Sequence, residues 1–179
     1  LDYVEASPRA DDTVVIYTSD NGYSWGEQTL TGKRWAYDVS ADVPLIVRWP
    51  DGITEQGAER GAPVLNIDLA PTLLNLAGLD VPANIQGTSW APLLRADDPT
   101  WRPEVYYEYF ADYPYQVPPH QAVRTPEWVY IEYERGLPPE LYSRADDPDQ
   151  RRNRYGESST EQIVSELSAA LAQLRVAAS

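Results

Sequence analysis

The apolar positions of this chain come in short runs, each closed by turn-forming residues. Thr13-Val14-Val15-Ile16-Tyr17-Thr18 is β-branched and almost continuously apolar, the pattern of a strand buried on both faces. It ends in Ser19-Asp20-Asn21-Gly22, a cluster of turn formers. A polar, Gly-containing loop runs from there to Lys33. Val43 to Trp49 predicts a second buried strand, stopped by Pro50-Asp51-Gly52. Leu69, Leu73, Leu74, Leu76 and Ala77 then give a helical face. Asn66 or Asp68 is available as its cap, Pro71 fits its first turn and Gly78 is a natural stop. Upstream, Leu1, Val4 and Ala6 read as the tail of an amphipathic helix that breaks at Pro8, and Asp11-Asp12 as a turn.

The texture changes after Leu94, and Asp97-Asp98-Pro99 marks the boundary. Tyrosine-rich strands are predicted at Glu104–Phe110 and across Ala122–Tyr133, the latter folded back at Thr125-Pro126-Glu127. A final helix is predicted to open on a Ser158–Glu161 capping box and to bury Ile163, Val164, Leu167, Leu171 and Leu174. The division expected is therefore 1–98, an α/β portion, and 99–179, a small antiparallel sheet plus helix. Tyr106, Tyr107, Tyr109, Tyr113, Tyr115, Trp128 and Tyr130 read as that sheet's core, with a platform for a sugar as the alternative.

Composition narrows the classes. The 179 residues carry a net charge of −14, which disfavours nucleic acid as a partner because phosphate binding needs clustered Lys and Arg. No apolar run approaches the 18 or so residues of a membrane span. The sequence contains no Cys and no Met, so disulfides and thiolate chemistry are excluded within it. The missing Met and the helix tail at Leu1 suggest a chain that begins inside a longer protein. There is one lysine, Lys33, against thirteen arginines. Because an ammonium and a guanidinium differ in shape and reach, that position invites a chemical reason.

Asp20 and Asn21 stand at the carboxyl end of a predicted strand, where α/β sheets place their ligands. A carboxylate and an amide oxygen are hard donors that suit Ca²⁺ or Mg²⁺; an ordinary Asx turn is the plain alternative. Read together, Thr18-Ser19-Asp20-Asn21-Gly22-Tyr23, Gly26-Glu27, Gly32-Lys33-Arg34 and Val43-Pro44-Leu45-Ile46-Val47-Arg48 resemble the sulfatase family of the alkaline-phosphatase superfamily. The likeness continues in order through Asn66–Leu74, Gln86-Gly87-Thr88-Ser89, Pro92-Leu93-Leu94, Ala122–Trp128, Glu140-Leu141-Tyr142, Asp147-Pro148 and Arg152-Asn153.

That resemblance implies an alkaline-phosphatase-type α/β fold, seen here in its later strands and carboxy-terminal subdomain. It implies hydrolysis of a small-molecule or saccharide sulfate ester, with Asp20 and Asn21 on a divalent cation (Ca²⁺, or Mg²⁺) and Lys33 on the sulfate. A periplasmic or secreted location goes with it. The family's nucleophile is a formylglycine made in a C-x-P-S-R type motif, which is not in this sequence; an upstream segment is expected to supply it, and the chain alone is expected to be inactive. Ser7-Pro8-Arg9 has the wrong spacing and reads as a turn. Where many sulfatases carry a histidine this chain has Gln28, which can hydrogen-bond a sulfate or substrate oxygen but cannot shuttle a proton. Arg124 can bind an anionic substrate group or pair with a surface carboxylate. His120 reads as a surface-loop histidine, with substrate contact as its alternative. A phosphoester or phosphonate hydrolase of the same superfamily and a non-catalytic truncated module stay open.

Overall fold

A computed structural model describes residues 1–98 and 100–178; Pro99 of the expected boundary and Ser179 lie outside the described residues. In chain order the strands are β1 (Val15–Tyr17), β2 (Ser24–Trp25), β3 (Thr31–Gly32), β4 (Ile46–Arg48), β5 (Val105–Tyr109), β6 (His120–Arg124), β7 (Trp128–Tyr133) and β8 (Glu140–Ser143). The α-helices are α1 (Asp2–Glu5), α2 (Asp38–Ala41), α3 (Leu69–Leu76) and α4 (Glu161–Ala178). No helix among the described residues is long and apolar enough to cross a membrane.

The chain divides into two compact units. Leu1–Asp20 and Pro44–Arg102 make the first; Asn21–Val43 and the chain from Pro103 onward make the second. The segment 21–43, which the sequence groups with the α/β portion, thus belongs with the small sheet.

In the first unit β1 and β4 pair antiparallel, with Val15 opposite Arg48 and Tyr17 opposite Ile46. Within this chain Tyr17 is 64% and Ile46 62% exposed, on a ladder of two strands. Ser7-Pro8-Arg9 is a turn, with the Arg9 N–H donating to Ser7 Oγ and the Ala10 N–H to the Ser7 carbonyl. A 3₁₀ turn at Asn66–Asp68 leads into α3, with Pro71 buried in its first turn and Gly78 at φ 69° beyond its end.

Asp68 does not cap α3 with its side chain. Its fully buried carboxylate accepts the Leu65 N–H, the Thr88 N–H and the Arg102 guanidinium, each at 2.8 Å. One anion so ties the helix start to two later segments. Gly87 lies against the Ile67 carbonyl, where a Cβ would meet oxygen at 2.0 Å, so the crossing admits only glycine.

In the second unit β5-β6-β7-β8 form an antiparallel meander. Its two faces follow the period-2 alternation of the strands. Val123, Tyr130 and Leu141 face α4, whose Leu167 and Leu171 are buried and whose Ile163, Val164 and Leu174 complete the expected stripe. Ala122, Val129, Ile131 and Tyr142 face the other way and pack with Ala36 and Tyr37. Segment 21–43 therefore covers the second face of the sheet.

The capping box does not form. The last helix is entered through a 3₁₀ turn at Ser158–Thr160 without a side-chain cap bond, and the Thr160 hydroxyl donates instead to the Arg154 and Glu157 carbonyls. Of the expected aromatic core, Tyr113 and Tyr115 are exceptions, 96% and 51% exposed.

Candidate functional site

Asp20 follows β1 at the end of the first unit. Its backbone carbonyl accepts a 2.7 Å bond from Asn66 Nδ2, which fixes the strand end against the start of α3. Asn21 opens the second unit. Its Nδ2 donates to the Gly22 carbonyl at 2.8 Å, and its Oδ1 accepts from Lys33 Nζ at 3.0 Å. The amide is thereby oriented with its oxygen toward a cation.

The return of Lys33 toward Asn21 is built by the β2–β3 ladder, in which Ser24 pairs with Gly32 and Trp25 with Thr31. Gly26, at φ 135°, and Gln28 and Thr29, at φ 50° and 61°, make the reversal. Asp20 and Asn21 are adjacent in the chain and offer two hard oxygens, the donor chemistry Ca²⁺ or Mg²⁺ requires. A calcium shell takes about 6–8 oxygens. No group of three or more His, Cys, Asp or Glu that could hold a metal occurs among the described residues. The two donors fit as part of a shell.

Gln28 donates through Nε2 to the Asp149 carbonyl, while its Oε1 is buried without a hydrogen-bond partner among the described residues. One amide proton remains for another acceptor.

Arg124 is only 7% exposed, and of the two alternatives open to it the structure shows carboxylate pairing, with one partner, Asp42, half-exposed. Its Nη1 donates to the Ala36 carbonyl at 2.9 Å, and its Nη2 to Asp38 and Asp42, both at 2.7 Å. Arg144 grips the same two carboxylates at 3.0 and 2.6 Å. Gln150 donates to Asp38 Oδ1 and accepts the Asp38 N–H. Asp38, Asp42, Arg144 and Gln150 are functional candidates that sequence reasoning missed. A carboxylate pair four residues apart is a weak signal, and its partners lie 82 to 112 positions away.

The surface-loop reading of His120 is corrected as well. It is the first residue of β6 and 1% exposed, packed among the rings of Trp35, Tyr107, Tyr109 and Tyr133 at centroid distances of 5.4 to 6.0 Å. Nδ1 lies 2.8 Å from the Pro118 carbonyl, so it carries the proton, and Nε2 is a buried acceptor without a partner among the described residues. Nearby, Glu140 accepts hydroxyl bonds from Tyr37, Tyr133 and Tyr142. Burial, reinforced by that carboxylate, pushes the Tyr37 phenol up to about 12 and raises the other two, which keeps all three as donors.

Burial lowers the His120 pKa from its ordinary 6.5, against the Pro118 carbonyl and Glu140, which raise it. The unfolded chain then takes up a proton before the folded chain does, and stability rises with pH across that interval. The His120 contribution is complete above pH 6.5 and is lost as the pH falls from there through the folded value. Urea midpoints measured at steps from pH 7 down to pH 5 should decline, and His120→Phe should flatten the decline. An unchanged slope in the variant would contradict this account.

Comparison with known proteins agrees with the resemblance read from the sequence. Residues 26–177 match the family model for N-sulphoglucosamine sulphohydrolase, C-terminal. An N-acetylglucosamine-6-O-sulfatase of Bacteroides thetaiotaomicron is 35% identical over 164 residues, covering 88% of this chain and 29% of that protein. A solved protein in complex with its substrate D-glucosamine-2-N,6-O-disulfate superposes with a TM-score of 0.88 at 32% identity, over 97% of this chain and 36% of its own. The phosphonate monoester hydrolase of Agrobacterium radiobacter superposes at 0.85 and 25% identity, over 98% and 37%. The chain spans about a third of the length of these relatives.

Proposed function

Since the chain belongs to the N-sulphoglucosamine sulphohydrolase C-terminal family, we propose that it is the carboxy-terminal part of a sulfatase that hydrolyses sulfate esters of amino sugars. The observation that carries the reading is Lys33, the single lysine, held by a β-ladder with its ammonium on Asn21 Oδ1. The relatives' amino-sugar substrates support the substrate class.

In this reading Asp20, through its carboxylate, and Asn21, through Oδ1, would hold a calcium ion together with ligands from outside this chain, and the bound ion would supply Lewis-acid chemistry. The nucleophile, a hydrated formylglycine, also comes from outside this chain. Lys33 places its ammonium against the sulfuryl oxygens, and as the ester S–O bond breaks it bears part of their charge. Its stem lets a compact point charge reach an oxygen that a planar guanidinium would approach differently. Gln28 keeps one amide N–H for a substrate oxygen and supplies no proton. Arg124 and His120 are left out of the substrate set, since their polar atoms are directed into the second unit.

The test is the complete enzyme assayed on glucosamine 6-O-sulfate, an aryl sulfate and an aryl phosphonate, with bound calcium measured alongside. The sugar sulfate should turn over fastest, and Asp20→Ala should lose stoichiometric calcium. A preference for the phosphonate would favour the hydrolase reading suggested by the superposition on the Agrobacterium enzyme. Retention of calcium by Asp20→Ala would remove the metal assignment.

A further inference from the structure

Arg124 and Arg144 do not stop at holding α2 in place. We infer that they act, through α2 and Gly22, as a positioning clamp for Asn21 and Lys33. The inference rests on the reading of those two residues given above.

The linkage runs through three contacts inside the second unit. At the first, two guanidiniums rooted in β6 and just beyond β8 each bridge the same pair, Asp38 and Asp42, which bracket α2. A four-residue helix has little stability of its own, so its orientation is set by these forks. Planar guanidiniums give direction as well as charge. At the second contact α2 presents Ser40, 3% exposed, whose carbonyl accepts the Gly22 N–H at 2.9 Å. The neighbouring Val39 carbonyl occupies the place of a Gly22 side chain, 2.1 Å from where a Cβ would stand. Glycine is required there, and the backbone of residue 22 is seated directly on α2. At the third, Gly22 is bonded covalently to Asn21 and holds its amide through the Nδ2 bond to the Gly22 carbonyl. That bond aims Oδ1 at Lys33.

Stability alone does not account for the arrangement. Buried charge clusters can often be replaced by apolar residues with no loss of stability. Apolar packing would not specify the rotation of a one-turn helix as four directed charges do. Arg124 touches neither Asn21 nor Lys33 in any of its hydrogen bonds, so it is a positioning residue and not a catalytic one.

The experiment uses the complete enzyme with Arg124→Lys, which keeps the charge and loses the fork. Four quantities are read: kcat, KM, calcium affinity by titration, and amide hydrogen exchange at Gly22. The clamp predicts that kcat and calcium affinity each fall by roughly tenfold, the scale of one lost hydrogen bond's worth of positioning. KM should stay within about twofold, since ground-state binding is untouched, and the Gly22 amide should exchange faster. A raised KM with unchanged calcium affinity would instead make Arg124 a substrate ligand. A lowered melting temperature with kcat, calcium affinity and Gly22 exchange unchanged would make it merely structural. Either result overturns the clamp. If Arg124→Lys does not fold, Arg144→Lys, at a side chain 29% exposed, is read by the same measures with the same expected outcome. A wild-type enzyme with neither calcium nor sulfatase activity removes the functional reading itself, whereas an active wild type with an unaffected variant removes only the clamp.

Discussion

Lys33→Arg in the complete enzyme should lose about 10²–10³ in kcat, the usual cost of removing one preorganised electrostatic contact, while folding normally. Lys33→Ala should lose at least as much. The two substitutions together separate charge from placement. The arginine keeps the charge, so a Lys33 that only decorates the surface would tolerate it, as the chain's thirteen other basic positions are all arginine. The arginine does not keep a compact donor 3.0 Å from Asn21 Oδ1, and its fork would meet that amide in a different geometry. The adjacent Arg34 is unsuitable as a control. It pairs with Asp112 through both Nε and Nη2 at 3.0 Å and lies 3.2 Å over the Tyr115 ring, so Arg34→Lys would disturb a fixed strut. Arg151, whose side chain is 78% exposed and pairs with Asp149, is the appropriate one, since surface pairs contribute about 0–1 kcal/mol. Steady-state kinetics on the three variants decide, and a wild-type kcat for Lys33→Arg would remove Lys33 from the chemistry.

The largest effect on stability is expected at Asp68. Asp68→Ala removes the ion-pair partner of the Arg102 guanidinium and strands two backbone N–H groups at once. Breaking a buried ion pair from one side costs about 3–5 kcal/mol, and the two amides add to it. Asp68→Asn should recover little. It offers one acceptor oxygen where three donors converge, and it turns an NH₂ toward one of them. Arg102→Ala should also be costly, since it leaves a fully buried carboxylate without its counter-charge, and should fall short of Asp68→Ala by the two backbone N–H groups that keep their acceptor. Urea unfolding of all three variants tests the order; a loss below about 1 kcal/mol for Asp68→Ala would mean the carboxylate is not the knot its contacts describe.

The elements carried by periodicity are legible in the sequence. The α4 stripe, the two faces of β6 and β7 and the α3 helix with its glycine stop all follow from local pattern, and local pattern is what a sequence exposes. Strand β8 has four residues and directly follows Pro138-Pro139, too short a run to stand out. His120 was misplaced because a Pro-Pro step before it reads as loop, while the aromatic cage that buries it comes from Trp35 and from three tyrosines on other strands. Asp20, Asn21 and Lys33 were picked out by motif and by the single lysine. The clamp was not, since its charges are scattered among many acidic and arginine positions and only the fold brings them together. In the same way Asp68 looked like a helix cap, because its partners Thr88 and Arg102 lie 20 and 34 residues downstream.

The grouping of residues 21–43 with the chain beyond Pro103 also orders events during protein synthesis. A ribosome adds roughly 5–20 residues per second, and the charges that grip Asp38 lie 86 to 106 positions later. The nascent arm bearing Asn21 and Lys33 therefore waits on the order of 5–20 s before its anchors have been made. A message truncated before the codon for Arg144 would encode every residue assigned here to metal and sulfate, and would still leave the arm without one of the two guanidiniums that hold it.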